Sequence, residues 1–233
     1  MTADPGIAPD GPPTGYTFLL PEDWVRIPVR YGDPDGAVRS LVASAFAQVP
    51  SDVPRDRLTP LRLELERRLR KAVAEARGAG ALEMYLPVKL AGEVNLGASF
   101  TVSPARIPSR TTGPGGGADP EGGTRPVSDS AEIAVQLLAG DGAAGAADVE
   151  LSSGEIDGAL AVRRERVVPA DPERGMELAS RRVEHLVAVP GDAGRWLVVA
   201  FSTVGAGDPR DDLADAMVEW FDALMTTFRW SWT

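Results

Sequence analysis

Ten consecutive residues near the C-terminus, Arg195-Trp-Leu-Val-Val-Ala-Phe-Ser-Thr-Val204, restrict the fold more than any other stretch. In an extended chain successive side chains point to alternate faces. Leu197, Val199 and Phe201 therefore share one face, and Trp196, Val198 and Ala200 the other. Both sets are apolar, whereas a half-exposed antiparallel strand would alternate apolar with polar. This strand belongs in the middle of a sheet covered on both sides. After a Gly205-Ala-Gly207 turn, the spacing predicts a helix from Asp208 to Phe228. Asp208 is its N-cap and Pro209 its first residue, and Asp211 and Asp212 sit where negative charge complements the helix dipole. Leu213, Ala216, Met217, Trp220, Leu224 and Phe228 form its apolar stripe, with Phe221 beside it.

The rest of the chain supplies strands and further covers. Residues 1–15, rich in Pro, Gly and Asp, read as a disordered leader. Tyr16–Leu20 and Val25–Val29 read as short strands, with Pro28 suited to an edge. A helix over Ala37–Ala47 follows the Asp33-Pro-Asp-Gly36 turn, with Val38, Leu41, Val42, Ala45 and Phe46 at helical spacing. A second helix runs from Thr59, its N-cap, to Arg77, with Leu61, Leu65, Leu69, Ala72, Val73 and Ala76 inward. Glu64–Arg68 and Glu66–Arg70 are i,i+4 ion pairs along it. Strands at Ala81–Val88 and Val94–Val102 form a hairpin through Ala91-Gly-Glu93. A Gly/Pro-rich insert covers about 104–126. A short helix, Ser128–Leu138, and a Gly/Ala-rich link, Gly140–Ala147, lead to four strands at Asp148–Ser152, Ala159–Val168, Ala179–Val189 and Arg195–Val204. Their short connections specify an antiparallel meander. The order of elements predicts an α+β fold, a three-layer αβα sandwich with a mostly antiparallel central sheet, as a single domain over residues 16–233.

Composition removes several function classes. The chain has 34 acidic and 24 basic side chains, a formal charge of −10, so polyanions such as nucleic acids are repelled. With no cysteine there are no disulfides, thiol nucleophiles or thiolate metal sites. No apolar run is long enough to span a bilayer, and the first residues lack the basic and apolar regions of a secretory signal. A cytoplasmic location is the expectation.

The candidate chemistry is sparse. His185 is the single histidine. A hydrolase pair of Ser202 with His185 is conceivable only if both side chains meet, and no Gly-x-Ser-x-Gly elbow frames Ser202. Asp33-Pro-Asp-Gly36 opens like a calcium loop but lacks the later ligands, so it reads as a turn and cap. The stretch Gly113–Gly123 lacks the Gly-Lys-Ser/Thr ending of a phosphate loop. No catalytic residue, metal or cofactor is expected. Arg163, Arg164 and Arg166, with Arg181 and Arg182 on the next strand, mark an interaction surface, weighed against a solvated face neutralised by Glu165, Glu177 and Glu184. Trp24 and Trp220 read as core, and Trp230 and Trp232 as an exposed tail able to enter an interface.

The two chain ends together resemble the Mog1/PsbP-like domain family. The resemblance lies in Tyr16-Thr-Phe-Leu-Leu-Pro-Glu-Asp-Trp24, in Val199-Ala-Phe-Ser-Thr203 and in Phe228-Arg-Trp230. It implies an αβα sandwich that binds other proteins or assists assembly, without catalysis. A composition rich in Ala, Gly, Arg and Asp, of the actinobacterial kind, adds the expectation of service in a multi-protein system such as secretion. The leading expectation is thus a non-catalytic adaptor with a protein partner or with itself. The alternative is a small-molecule or lipid-binding domain whose apolar pocket is lined by Trp24, Met84, Tyr85 and Phe100.

Overall fold

The computed structural model describes residues 11–47, 49, 55–88, 97–106, 149–174 and 176–232. Among these, stretches of period-two alternation form nine strands and stretches of helical spacing form three α-helices. In chain order they are β1 (Gly15–Thr17), β2 (Trp24–Pro28), α1 (Pro34–Ala47), α2 (Arg55–Gly78), β3 (Glu83–Pro87), β4 (Ala98–Arg106), β5 (Val149–Ile156), β6 (Ala159–Val168), β7 (Ser180–Ala188), β8 (Arg195–Thr203), α3 (Asp212–Thr226) and β9 (Arg229–Ser231). Seven strands make one sheet in the order β2-β3-β4-β8-β7-β6-β5, with every neighbouring pair antiparallel. The fold is α+β. Strands β5 to β8 form the expected meander, and β8 is the middle strand of the seven. No described helix is long and apolar enough to cross a membrane.

Alternation along the strands divides the core. Leu197, Val199 and Phe201 of β8 join a cluster with Met217, Phe221 and Leu224 of α3. On the other face Trp196 is buried with Val162 and Leu186, while Val198 and Ala200 are half-buried. In β3, Tyr85 enters the α3 cluster, whereas its neighbour Met84 enters a second one with Ile27 of β2, Val38 and Leu41 of α1, and Val73 of α2.

Several boundaries differ from the expectations. Helix α2 begins at Arg55, so Thr59 is not its cap and Pro60 lies inside the second turn. As the sixth residue Pro60 lies beyond the four N–H groups that have no intrahelical partner, so it gives up the one hydrogen bond an N–H there would make to the residue four places earlier. Leu61 is exposed. Each i+4 step overshoots a full turn by about 40°, so Leu61, three steps from buried Val73, has rotated about 120° away from the core. Helix α3 is capped by Asp211, which accepts the Ala214 N–H at 2.7 Å, while Asp208 accepts the Arg210 N–H in the preceding turn. Its buried stripe is Ala214, Met217, Val218, Phe221, Leu224 and Met225, and Trp220 flanks it. Pro104–Arg106, expected to open the insert, extend β4 opposite Leu197–Arg195. Strand β3 pairs only with Phe100–Val102, so Pro104 lacks an N–H where β4 has no second neighbour.

The chain ends meet. Strands β1 and β9 pair with Tyr16 opposite Trp230, and the Thr14 N–H donates to the Ser231 carbonyl at 2.8 Å. Residues 11–15 are therefore part of the ordered fold, not of a leader. The hairpin turn at Ala91–Glu93, the insert beyond Arg106, the helix at Ser128–Leu138 and the link Gly140–Ala147 lie outside the described residues.

Candidate functional site

The polar centre of the molecule arises from strand parity. In β6 the odd residues Arg163 and Glu165 face α3, and the even residues Arg164 and Arg166 face away. The register carries this into β7: Arg163 lies across from His185 and Arg164 across from Glu184. Helix α3 adds Asp215 and Asp222, seven residues and so about two turns apart, on one side. The result is a continuous row, Asp215–Arg181–Glu165–Arg163–Asp222–His185.

The row is tightly bonded. Arg181 contacts Asp215 and donates to Glu165 at 2.5 Å. Arg163 donates to Glu165 at 2.5 Å and, through Nε, to both oxygens of Asp222 at 2.9 and 3.1 Å. His185 Nε2 lies 2.9 Å from Asp222 Oδ1, with its ring tilted against Phe221 at 5.6 Å. Burial opposes ionisation of Asp222 most strongly. The hydrogen bonds from His185 and Arg163, with their charge, outweigh it and hold the carboxyl below its ordinary value. Burial likewise weighs against Arg163 and Arg181, yet their carboxylate partners raise both further into the charged form. Clefts open at the two ends of the row. One, of about 540 Å³, is lined by Val149, Glu150, Glu165, Arg181 and Asp215, and the other, of about 490 Å³, by Glu155, Asp157, His185, Asp222 and Arg229.

The seven residues proposed as one surface occupy three places. Arg163 and Arg181 are in the row. On the other face Arg164, only 5% exposed, donates from Nε to Glu184 at 2.6 Å, with Arg166 at 3.8 Å from the same carboxylate. Arg182 stands there opposite Arg166. Glu165 and Glu184 neutralise the arginines as expected. Glu177 has no ion pair among the described residues, and its place is taken by Asp215 and Asp222. Their i,i+7 spacing was the available signal. Trp230 is buried, edge-on to Phe228 at 4.9 Å, so it is not an exposed anchor. Trp232 is the half of the tail that reaches solvent, its indole N–H donating to the Gly11 carbonyl at 3.2 Å.

The other candidates resolve by geometry. Ser202 lies on the face of β8 opposite Val199, and Val199 shares its face with His185, so Ser202 and His185 point to opposite sides of the sheet. Thr226, which lines the cleft with His185, gives its hydroxyl to the Ala223 carbonyl. The expected ligand pocket is filled by its own lining. Trp24 stacks on Trp220 at 4.4 Å, Tyr85 stacks on Phe100 at 4.3 Å, and Met84 belongs to the other cluster. A smaller apolar cleft of about 260 Å³ lies elsewhere, among Leu41, Leu65, Leu69, Leu86 and Val88. Asp33 caps α1 by accepting the Gly36 N–H at 2.8 Å. Among the described residues no group of three or more His, Asp or Glu could hold a metal ion. A second polar cluster escaped the sequence. Glu83 accepts the hydroxyls of Tyr16 at 2.8 Å and Tyr85 at 2.6 Å and pairs with Arg26. Burial first, and then Glu83, push both phenols well above their ordinary pKa.

The row thus acts chemically as a brace: its own carboxylates, guanidinium groups and imidazole are bonded to one another. Neither a protein-family model nor a curated protein matches this chain.

Proposed function

We propose that this chain is a non-catalytic protein-interaction domain of the adaptor or assembly-assisting kind, an αβα sandwich similar to Mog1/PsbP-like domains. The layered arrangement is supported by adjacent residues of β3, Met84 and Tyr85, joining the α1–α2 and α3 clusters respectively. A cytoplasmic location and a place in a multi-protein system, secretion among them, belong to the same proposal.

The observation that carries it is the contrast between the two sheet edges. Strand β2 is five residues long, ends in Pro28 and buries Trp24 and Ile27. Such an edge resists the addition of another strand. Strand β5 is eight residues long, six of them exposed, and holds neither proline nor lysine. An edge with no further strand beside it among the described residues serves as a template for a partner. Native mass spectrometry of the tagged chain purified from its own cells tests the reading. A defined complex with another protein is expected, and a monomer alone overturns it.

A second reading, an apolar-ligand domain, rests on the cleft of about 260 Å³ beside Leu41 and Leu69. That volume falls just under the usual range for ligand pockets, about 300–1,000 Å³. Saturable binding of a fatty-acid probe, abolished by Leu69→Trp, would favour it over the first.

A further inference from the structure

We infer that the outer edge of β5 pairs with an extended segment of a partner protein that carries one basic residue opposite Glu150 and another opposite Glu155. The inference rests on the protein-interaction reading and specifies its surface and its chemistry.

Strand β5 is bonded to β6 along all eight residues, and it ends the sheet among the described residues. In an antiparallel ladder alternate residues aim their backbone groups at one neighbour and then the other. Half of the β5 N–H and C=O groups therefore point outward. The strand is long enough for a full ladder with a second chain, and a Cβ built on Gly154 would meet nothing within 4 Å.

The charge pattern selects the occupant. Glu150 and Glu155 are exposed and have no ion-pair partner among the described residues, unlike the bonded carboxylates of Glu165, Glu184 and Asp222. Opposite charges directly across a strand pair are favourable and like charges are not. A second copy of this chain fits poorly. A twofold axis normal to the sheet keeps each face continuous, so self-pairing centres on Ser152 or on Ser153. Glu155 then opposes Val149 or Leu151, and Glu150 opposes Gly154 or Ile156, so neither carboxylate meets a cation. Each copy also brings a charge of −10. A segment with lysine or arginine at both places satisfies both carboxylates. Glu150 and Glu155 are the second and seventh of eight residues, so the pattern reads alike for parallel and antiparallel addition.

The test titrates the isotopically labelled full chain with an octapeptide bearing lysine at its second and seventh positions and alternating valine and threonine elsewhere. A glutamate counterpart and a proline-interrupted lysine peptide of equal charge serve as controls. The expected result is saturating amide shifts confined to residues 149–156 and their β6 neighbours, given by the first peptide alone. Glu150→Lys with Glu155→Lys should weaken that binding about tenfold and let the glutamate peptide bind instead. Of Ser152 and Ser153, one aims its N–H outward. Both Ser152→Pro and Ser153→Pro are made, and the one that keeps its native circular dichroism should lose the peptide. The charge reversal, confined to exposed side chains, decides alone if neither folds.

Equal binding of lysine and glutamate peptides, equal binding of the proline-interrupted peptide, or shifts away from β5 would overturn the inference. Such a result beside an intact complex from the native cells leaves the interaction reading standing. Absence of that complex removes the reading itself.

Discussion

Beneath α3 one sheet face is built from two opposite chemistries. Toward β3, β4 and β8 the contacts are rings: Phe221 lies on Phe201 at 4.8 Å with the planes 15° apart, beside Phe100 and Trp24. Toward β6 and β7 they are ions, and Asp222, the residue after Phe221, belongs to that half. The ring half draws stability from area removed from water, in proportion to what is buried and with modest demands on geometry. The ionic half gives up hydration and recovers it only through closely matched bonds, so it adds less net stability and fixes the strands and helix in one arrangement. The largest losses should follow removal of a ring, and the most context-dependent losses removal of an ion.

Phe221→Ala is the largest test of this contrast. Phe221 is fully buried, and its truncation removes transfer free energy and leaves a cavity between β8 and α3. A loss of about 3–5 kcal/mol is expected in urea denaturation monitored by tryptophan fluorescence. A loss under about 1 kcal/mol would mean that the ring half collapses onto the gap and is not closely packed.

The two halves were not equally legible in the sequence. The ring half follows from period-two alternation: β8 begins at the predicted residue and ends one residue early. The same rule, applied to Arg163-Arg-Glu-Arg166, already divides the arginines between faces, although proximity in sequence invites grouping them. What the sequence withheld is long-range. Asp215 and Asp222 become partners only once α3 crosses β6 and β7. The edge β9 forms only because the other end of the chain lies beside it, which also turns Trp230 inward. The same meeting of ends makes β1, β9 and the end of α3 a single physical unit, with Tyr16 stacked on Phe228 at 6.0 Å.

Arg164→Ala should cost about 3 kcal/mol, because Glu184 is left buried with Arg166, at 3.8 Å, as its remaining ion-pair partner among the described residues. The double change Arg164→Met with Glu184→Leu should recover most of that loss, since apolar replacements need no bonds. A double-mutant cycle measures both. If the double variant is as unstable as the single, the pair contributes net stability and the contrast between halves is weaker than proposed.

Acid sharpens the same point with a smaller effect. The carboxyl of Asp222 is held below its ordinary value, so its bonds to His185 and Arg163 stabilise the fold above the unfolded aspartate value of about 3.9. That contribution is lost as pH falls below about 4 toward the folded value. Thermal midpoints of the wild type should therefore drop more steeply below pH 4 than those of Asp222→Asn. Parallel acid limbs would show that the row does not hold this carboxylate in its charged form.

Trp230→Phe is the smallest expected change, and it probes the border where a ring meets a polar need. The indole Nε1 of Trp230 is buried without a hydrogen-bond partner among the described residues. An unmet donor costs about 1–3 kcal/mol. Phenylalanine removes that donor and keeps the edge-on contact with Phe228, but it leaves a small void. The two effects oppose each other, and the net change should lie within about 1 kcal/mol of zero. A loss well beyond that, read by chemical denaturation, would show that the indole fills space no smaller ring can. The β1–β9 closure would then depend on volume in the way the ring half under α3 does, with Asp157, which accepts the Trp230 backbone N–H at 2.8 Å, holding the strand in place from the β5–β6 turn.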